Sequence, residues 1–182
     1  MGFVYDGFCA GEPWNTVAIK SGFGFCLATS EELCEAHPEK VLLVTADFAE
    51  HRGEEHLRLI RALLDACQIC DDEKHRPEIA KLLSRPEYLD LPEAMIRNSL
   101  CGQFDRGTGD HFPISGIHTF SGESVNRPTA EMANLVLSQL RGCGQLDADS
   151  MRGRPKPYQV FRDDLYTAAT AKNSSKRAAI AV

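Results

Sequence analysis

Apolar positions recur at helical spacing most clearly between Glu54 and Asp71. There Leu57, Ile60, Leu64 and Cys67 share one side while Arg58, Arg61, Asp65 and Gln68 fill the other, which predicts an amphipathic helix. The same period predicts a helix from Pro77 to Leu83 with Ile79, Leu82 and Leu83 inward. Another opens at Pro92, with Met95, Ile96 and Leu100 as its stripe and Gly102 as its stop. Pro128 starts a further helix lined by Met132, Leu135, Val136 and Leu140 and closed by Gly142, and a last short one runs from Asp163 to Ala171. Proline suits these openings because its missing N–H would have no helical partner in the first turn. Two shorter helices are predicted, Pro13 to Lys20 and Ser30 to Leu33; the second has a serine cap and an acidic first turn.

The strand signal is thinner. Val41-Leu42-Leu43-Val44-Thr45 is a continuous β-branched and leucine run of the kind buried on both faces. Gly24 to Thr29, the short run Phe3-Val4-Tyr5 and Gly116 to Phe120 complete the strand candidates, the last inside a Gly-, Ser- and Thr-rich excursion from Gln103 to Arg127. Pro155 to Tyr158 reads as a turn. Strands alternating with helices imply an α/β class, yet the strands fall short of the roughly five or six of an ordinary sheet. The expectation is a partial lobe over residues 1–171, helix-rich in its C-terminal half, followed by a flexible tail over 172–182.

At 182 residues, 43% hydrophobic and 25% charged, the chain can bury a single core. A net charge of −6 excludes a nucleic-acid binder, which would need a basic face for phosphates. No apolar run reaches the roughly 20 residues of a membrane span, and the first residues lack a basic start and long apolar core of a signal peptide. Seven cysteines, an odd count at irregular spacing, argue against a disulfide framework. Cys67-Gln-Ile-Cys70 has no second CxxC or histidine pair to complete a zinc site, so buried thiols are expected.

From Asp6-Gly7-Phe8-Cys9-Ala10-Gly11-Glu12-Pro13-Trp14-Asn15 onward, the chain resembles the solute-binding proteins of nitrate-type ABC transporters. The further marks are His37-Pro38-Glu39-Lys40-Val41-Leu42, Asp71-Asp72, Leu83-Ser84-Arg85-Pro86-Glu87-Tyr88, Gly102-Gln103-Phe104-Asp105 and Phe161-Arg162-Asp163-Asp164-Leu165-Tyr166. The tryptophan usual near Gly142-Cys143-Gly144 is absent. The resemblance implies the C-terminal portion of a type II periplasmic-binding-protein-like fold. It also implies binding of nitrate or nitrite, a permease as partner, no catalysis, no cofactor and no metal. A periplasmic or membrane-associated place follows from the family; the missing signal peptide points to the cytoplasm.

Nitrate is a planar, weakly hydrated anion whose pocket wants a cation or N–H donors in its plane and an apolar wall. Lys40 is a compact charge with three donors, and by resemblance it matches the lysine that contacts the anion. Trp14 is the single tryptophan, read either as an anion contact at a helix start or as a core or hinge-packing ring. Glu12 caps the helix start or pairs with Lys40, and Asn15 is a further hydrogen-bond candidate. His51 and His56 are five apart, off helical ligand spacing; His111 and His118 suit a solvated loop. Asp105 and Asp110 have the wrong spacing for a calcium loop. Three alternatives stay open: a cytosolic nitrate sensor of a two-component pair, a thiol enzyme using Cys67 or Cys70, and a fragment without function, marginally stable and prone to aggregate.

Overall fold

A computed structural model describes residues 6–34, 39–109, 111–113, 117–147 and 152–177. Helices dominate: α1 (Trp14–Lys20), α2 (Ser30–Leu33), α3 (Ala46–His51), α4 (Gly53–Asp71), α5 (Arg76–Leu83) and α6 (Glu93–Leu100) precede a small hairpin. In that hairpin β1 (Gln103–Asp105) pairs antiparallel with β2 (His111–Pro113), Phe104 opposite Phe112. Then follow α7 (Glu123–Asn126), α8 (Ala130–Gly142), α9 (Pro157–Val160) and α10 (Asp163–Arg177). The described residues fall into two compact units, one drawn from 6–34 and 68–120, the other from 39–67 and 121–177.

The first unit is organised on α5 and α6. Ala80, Ile96 and Leu100 form its buried centre, with Ile79, Leu83, Leu89, Leu91, Cys101 and Phe120 packed around it. The chain turns from α5 to α6 through Arg85–Asp90, where Leu89 N–H bonds back to Leu83 O at 3.1 Å. Arg76 is buried there without an orphan charge: its Nε donates to Cys70 O at 2.9 Å and its guanidinium lies 5.9 Å from the Phe120 ring centre. Asp71 completes the corner by accepting Phe120 N–H at 2.8 Å.

Asp105, at the end of β1, joins three elements. Its N–H donates to Asn98 Oδ1 on α6 at 3.3 Å, Oδ2 accepts Lys20 Nζ from α1 at 2.5 Å, and Oδ1 accepts Gly107 N–H at 2.8 Å. The Lys20 ammonium and the Gly107 amide together hold the Asp105 carboxyl below the usual carboxylate range.

The second unit is held by guanidinium contacts. Arg61 on α4 donates Nε to the carbonyl of buried Ala169 on α10 at 3.2 Å. Arg127 grips Asp163 through two bonds, 2.6 and 3.1 Å, and Glu123 through a third at 2.5 Å, a fork geometry that lysine could not supply. Thr45 and Thr129 cap α3 and α8 by accepting Phe48 N–H and Met132 N–H at 3.2 and 3.3 Å.

Several expectations are corrected. Gly24 to Thr29 and Val41 to Thr45 form no strand and join no ladder among the described residues. Strand propensity prepares a backbone for pairing, and it cannot supply the neighbouring strand. Val41, Leu42 and Leu43, expected to be buried, are exposed. Residues 117–120 are not a strand, while residues 114–116 and Phe3-Val4-Tyr5 lie outside the described residues. The hairpin forms instead where Gly107 and Gly109 adopt φ of +80° and +90°, which lets the chain reverse between strands too short to show a period. Short α3, α7 and α9 were not expected. Helix α8 begins after Thr129 rather than at Pro128, and α2 takes its cap from Thr29 rather than from Ser30. Helix α10 continues through residue 171 to Arg177, inside the expected tail.

Two outcomes follow from this packing. Ile96→Ala, at a position 2% exposed, is expected to lower the unfolding free energy by about 2–4 kcal/mol, measured by urea denaturation followed by circular dichroism. Because the folded carboxyl of Asp105 is depressed, its contribution is complete above the unfolded value of about 3.9 and is lost as pH falls through the folded value. Thermal melts between about pH 5 and pH 2 should therefore show a shallower acid decline for Asp105→Asn than for the wild type, and a lower melting temperature for the variant at neutral pH.

Candidate functional site

The residues singled out in Gly11-Glu12-Pro13-Trp14-Asn15 share one turn at the start of α1. Trp14 N–H returns to Gly11 O at 3.2 Å, and Asn15 Nδ2 donates to Ala10 O at 2.6 Å, so the turn is fastened on its upstream side. Glu12 Oε2 accepts both the Thr16 hydroxyl at 2.6 Å and the Thr16 N–H at 3.4 Å. Of its two expected roles Glu12 therefore takes the cap, satisfying a first-turn amide that the helix itself leaves open. Thr16 is fully buried, and its oxygen also accepts Asn98 Nδ2 at 3.0 Å. The hydroxyl thus donates to the carboxylate and accepts from the amide, using its capacity in both directions.

This arrangement changes what the turn can do chemically. α1 is seven residues long, and the Glu12 carboxylate already sits on its first turn. An incoming anion at that helix start would meet a negative charge, so the helix-start reading of Trp14 loses its electrostatic basis. The indole itself is half-exposed, neither a core ring nor engaged in an aromatic pair among the described residues.

Lys40 belongs to the other unit. Its Nζ lies 2.9 Å from Glu39 Oε1, with the two side chains 78% and 56% exposed. An adjacent, solvated pair of this kind is held weakly, and the ammonium is accessible to another anion. Glu12, Asn15 and Trp14 are thus gathered on one turn, and Lys40 stands on a segment outside any helix or strand.

Sequence reading passed over the residues that anchor the turn: Thr16, Lys20, Asn98 and, in this role, Asp105. One signal was present. Glu12, Thr16 and Lys20 are spaced four apart, which lines three polar groups along one side of a short helix and the turn before it, with Thr16 buried at its middle. Asn98 carried no comparable mark.

The weaker candidates separate as follows. His51 bonds Asp47, its ring Nδ1 lying 3.0 Å from the carbonyl oxygen and 3.1 Å from Oδ1, while His56 is buried edge-on to Phe48 at 5.6 Å. His118 lies against Phe120 at 5.4 Å, and His111 is in β2. No cluster of three metal-ligating side chains occurs among the described residues, and Asp110 lies outside them. Cys67 and Cys70 are half-buried. Burial pushes the Cys26 thiol up, against the opposing pull of Arg106. In the second unit an open groove of about 770 Å³ is lined by Arg127, Tyr158, Phe161 and Arg162. Its guanidinium groups are already engaged, Arg127 with Asp163 and Arg162 with Asp164 at 2.8 and 2.7 Å. It therefore offers no uncommitted cation.

Comparison with known proteins places this geometry. Residues 4–84 match the NMT1-like family. The chain is 34% identical over 143 residues to the nitrate import ATP-binding protein NrtC of Synechocystis sp., a match covering 78% of this chain and 21% of that protein. It is 38% identical over 141 residues to the bicarbonate transport ATP-binding protein CmpC of Synechococcus elongatus, covering 78% and 20%. Against the nitrate/nitrite binding protein NrtA of Nostoc sp. the identity is 33% over 104 residues, covering 57% and 24%. The fold superposes on the crystal structure of the periplasmic nitrate-binding protein NrtA from Synechocystis with a TM-score of 0.82 and 25% identity, over 91% of this chain and 43% of that one. The matches thus span about a fifth to a quarter of the curated relatives. Partial periplasmic-binding-protein architecture, rich in helix, is what the structure holds. Over the part of the fold that it spans, the chain is similar to the nitrate/bicarbonate-type solute-binding proteins.

Proposed function

We propose that this chain contributes to binding a small planar oxyanion, nitrate or nitrite foremost, as the solute-binding part of an ABC import system, without catalysis of its own. The observation that carries this reading is the likeness, across 91% of the chain, to a nitrate-binding protein of known structure. Lys40 is the cation of the proposal. Its exposed ammonium competes only with neighbouring Glu39, and exchanging a solvated carboxylate for a weakly hydrated anion costs little. Asn15 and Trp14 are the secondary candidates, each to be tested by itself, and Glu12 supports them as the cap of their turn. A periplasmic setting and a permease partner belong to the same reading.

A second reading has its own support. The stretches shared with the ATP-binding proteins NrtC and CmpC cover 78% of the chain, against 57% for NrtA, at equal or higher identity. A module of this type joined to, or acting on, an ATP-binding subunit would serve as a sensor, its occupancy governing ATP hydrolysis on the cytoplasmic side. That reading takes the place of the two-component pair as the regulatory alternative, and it admits bicarbonate beside nitrate.

Isothermal titration calorimetry with nitrate, nitrite and bicarbonate, against chloride as control, tests the common core of both readings. Saturable binding to one of the oxyanions is expected, weakened at least about tenfold in Lys40→Glu, equivalent to about 1.4 kcal/mol. Equal affinity in the variant removes Lys40 from the site, and a folded chain that takes up none of the three anions removes the function. The readings part in a second assay: oxyanion-dependent stimulation or inhibition of the purified ATP-binding subunit supports the sensor, and an unchanged ATPase rate supports the carrier.

A further inference from the structure

Helix α4 carries apolar residues on two faces. Leu57, Ile60, Leu64 and Cys67 are half-buried along the stripe that the sequence predicts to face inward. Leu59, Ala62, Leu63 and Ala66 occupy another side and are exposed, the two leucines at 39% and 41%. Steps of three and four place these four on one ridge about two turns long. A helix that is apolar on both sides is ordinarily covered on both. The stretch from Gly53 to Cys67 lies within the second unit.

The ridge is bordered on one flank by Arg58 and Asp65, both exposed. Neither side chain bonds a partner among the described residues. Seven residues separate them by about 10 Å along the axis, too far to pair with each other, and return them to nearly the same angle. With Leu59 and Ala66 at position a of a heptad and Ala62 at position d, Arg58 and Asp65 both fall at position g. Charges there set the partner and the orientation of paired helices.

Opposite charges one heptad apart on one flank are self-complementary about a two-fold axis. When two such helices cross antiparallel, each Arg58 faces the Asp65 of the other copy, so both charges are matched. At the same register Leu59 meets the Ala62 of the other copy, large against small. Parallel helices would set arginine against arginine and aspartate against aspartate, a repulsion that disfavours that sense. A polypeptide of other sequence would need its own charges in the reverse order at the same interval, which a second copy has by construction.

We propose that the exposed face of α4 is a homotypic interface, on which a second copy of this chain seats its own α4 antiparallel. Two turns of helix bury less than the about 800 Å² per partner of a standard interface, so the pair is weak and reversible. This inference does not depend on anion binding.

Sedimentation velocity of the full 182-residue chain, over about two decades of concentration, tests it. A monomer–dimer equilibrium is expected, weakened as salt rises because its charge pairs lie at a solvated flank. Arg58→Asp and Asp65→Arg should each weaken self-association at least about tenfold, since each leaves a face of one sign. Mixed in equal amounts, the two variants should pair with each other, and the double variant Arg58→Asp with Asp65→Arg should pair with itself again. Both recoveries require folded chains, which separates loss of the interface from loss of the fold. Tyr88→Lys, at an exposed position away from α4, should change nothing. A chain that stays monomeric overturns the proposal, as does association that is indifferent to salt or survives both single reversals. So does a mixture of the single variants, each with the helix content of the unaltered chain by circular dichroism, that fails to pair.

Discussion

The Thr16 hydroxyl is fully buried, between a carboxylate that accepts from it and an amide that donates to it. A buried hydroxyl without partners costs roughly 1–3 kcal/mol, so this group fixes where its neighbours must be. Glu12 has to fold back over the first turn, and Asn98 has to reach across from α6. Asn98 in turn meets the Asp105 amide, and Asp105 meets Lys20 at the far end of α1. The helix is thereby fastened near its start to α6 and at its end to β1, which are themselves joined through Asn98 and Asp105. A polar seam of this kind specifies one seating for α1, where an apolar face of the same length would tolerate sliding. Its cost is that every member must be present, since a half-satisfied seam is worse than none.

The second unit solves the same problem with charge. Arg127 and Arg61 reach across between elements, one to a carboxylate and one to a main-chain carbonyl. Asp163 begins α10 and its negative charge also suits the helix start, so the Arg127 pair and the helix dipole act on the same residue. The guanidinium groups lining the groove are both engaged, Arg127 across to Asp163 and Arg162 locally with Asp164. That leaves the groove a structural feature, whereas Lys40 among the described residues pairs with its exposed neighbour Glu39.

Helices were legible because their signals are local. Pro77, Pro92 and the Leu57–Ile60–Leu64 stripe each encode an element with no help from distant residues, and α1, α4, α5 and α6 lie within a residue or two of their predicted bounds. Strands were not, because Val41–Thr45 can show β chemistry in sequence and still lack a ladder. The hairpin was missed for the converse reason: two three-residue strands carry too few positions for a period, and their pairing is decided by glycines in the turn. In the candidate site, Glu12 and Asn15 could be picked from the motif, but the groups that anchor their helix, Asn98 on Thr16 and Asp105 on Lys20, come from 82 and 85 residues further on, and contact across that distance leaves no trace in one sequence. The family resemblance came from ordered motifs, and the structural likeness agrees with it.

Trp14 is the one indole in the chain, and it stands half in solvent on the first unit. Its emission is therefore a reporter with a restricted view. Indole fluorescence follows the fate of the turn that Thr16 secures and is blind to the loss of α8, α9 and α10. A melting curve recorded by that signal describes one half of the molecule, and agreement or disagreement with a helix-wide signal reveals whether the two units come apart together or in succession.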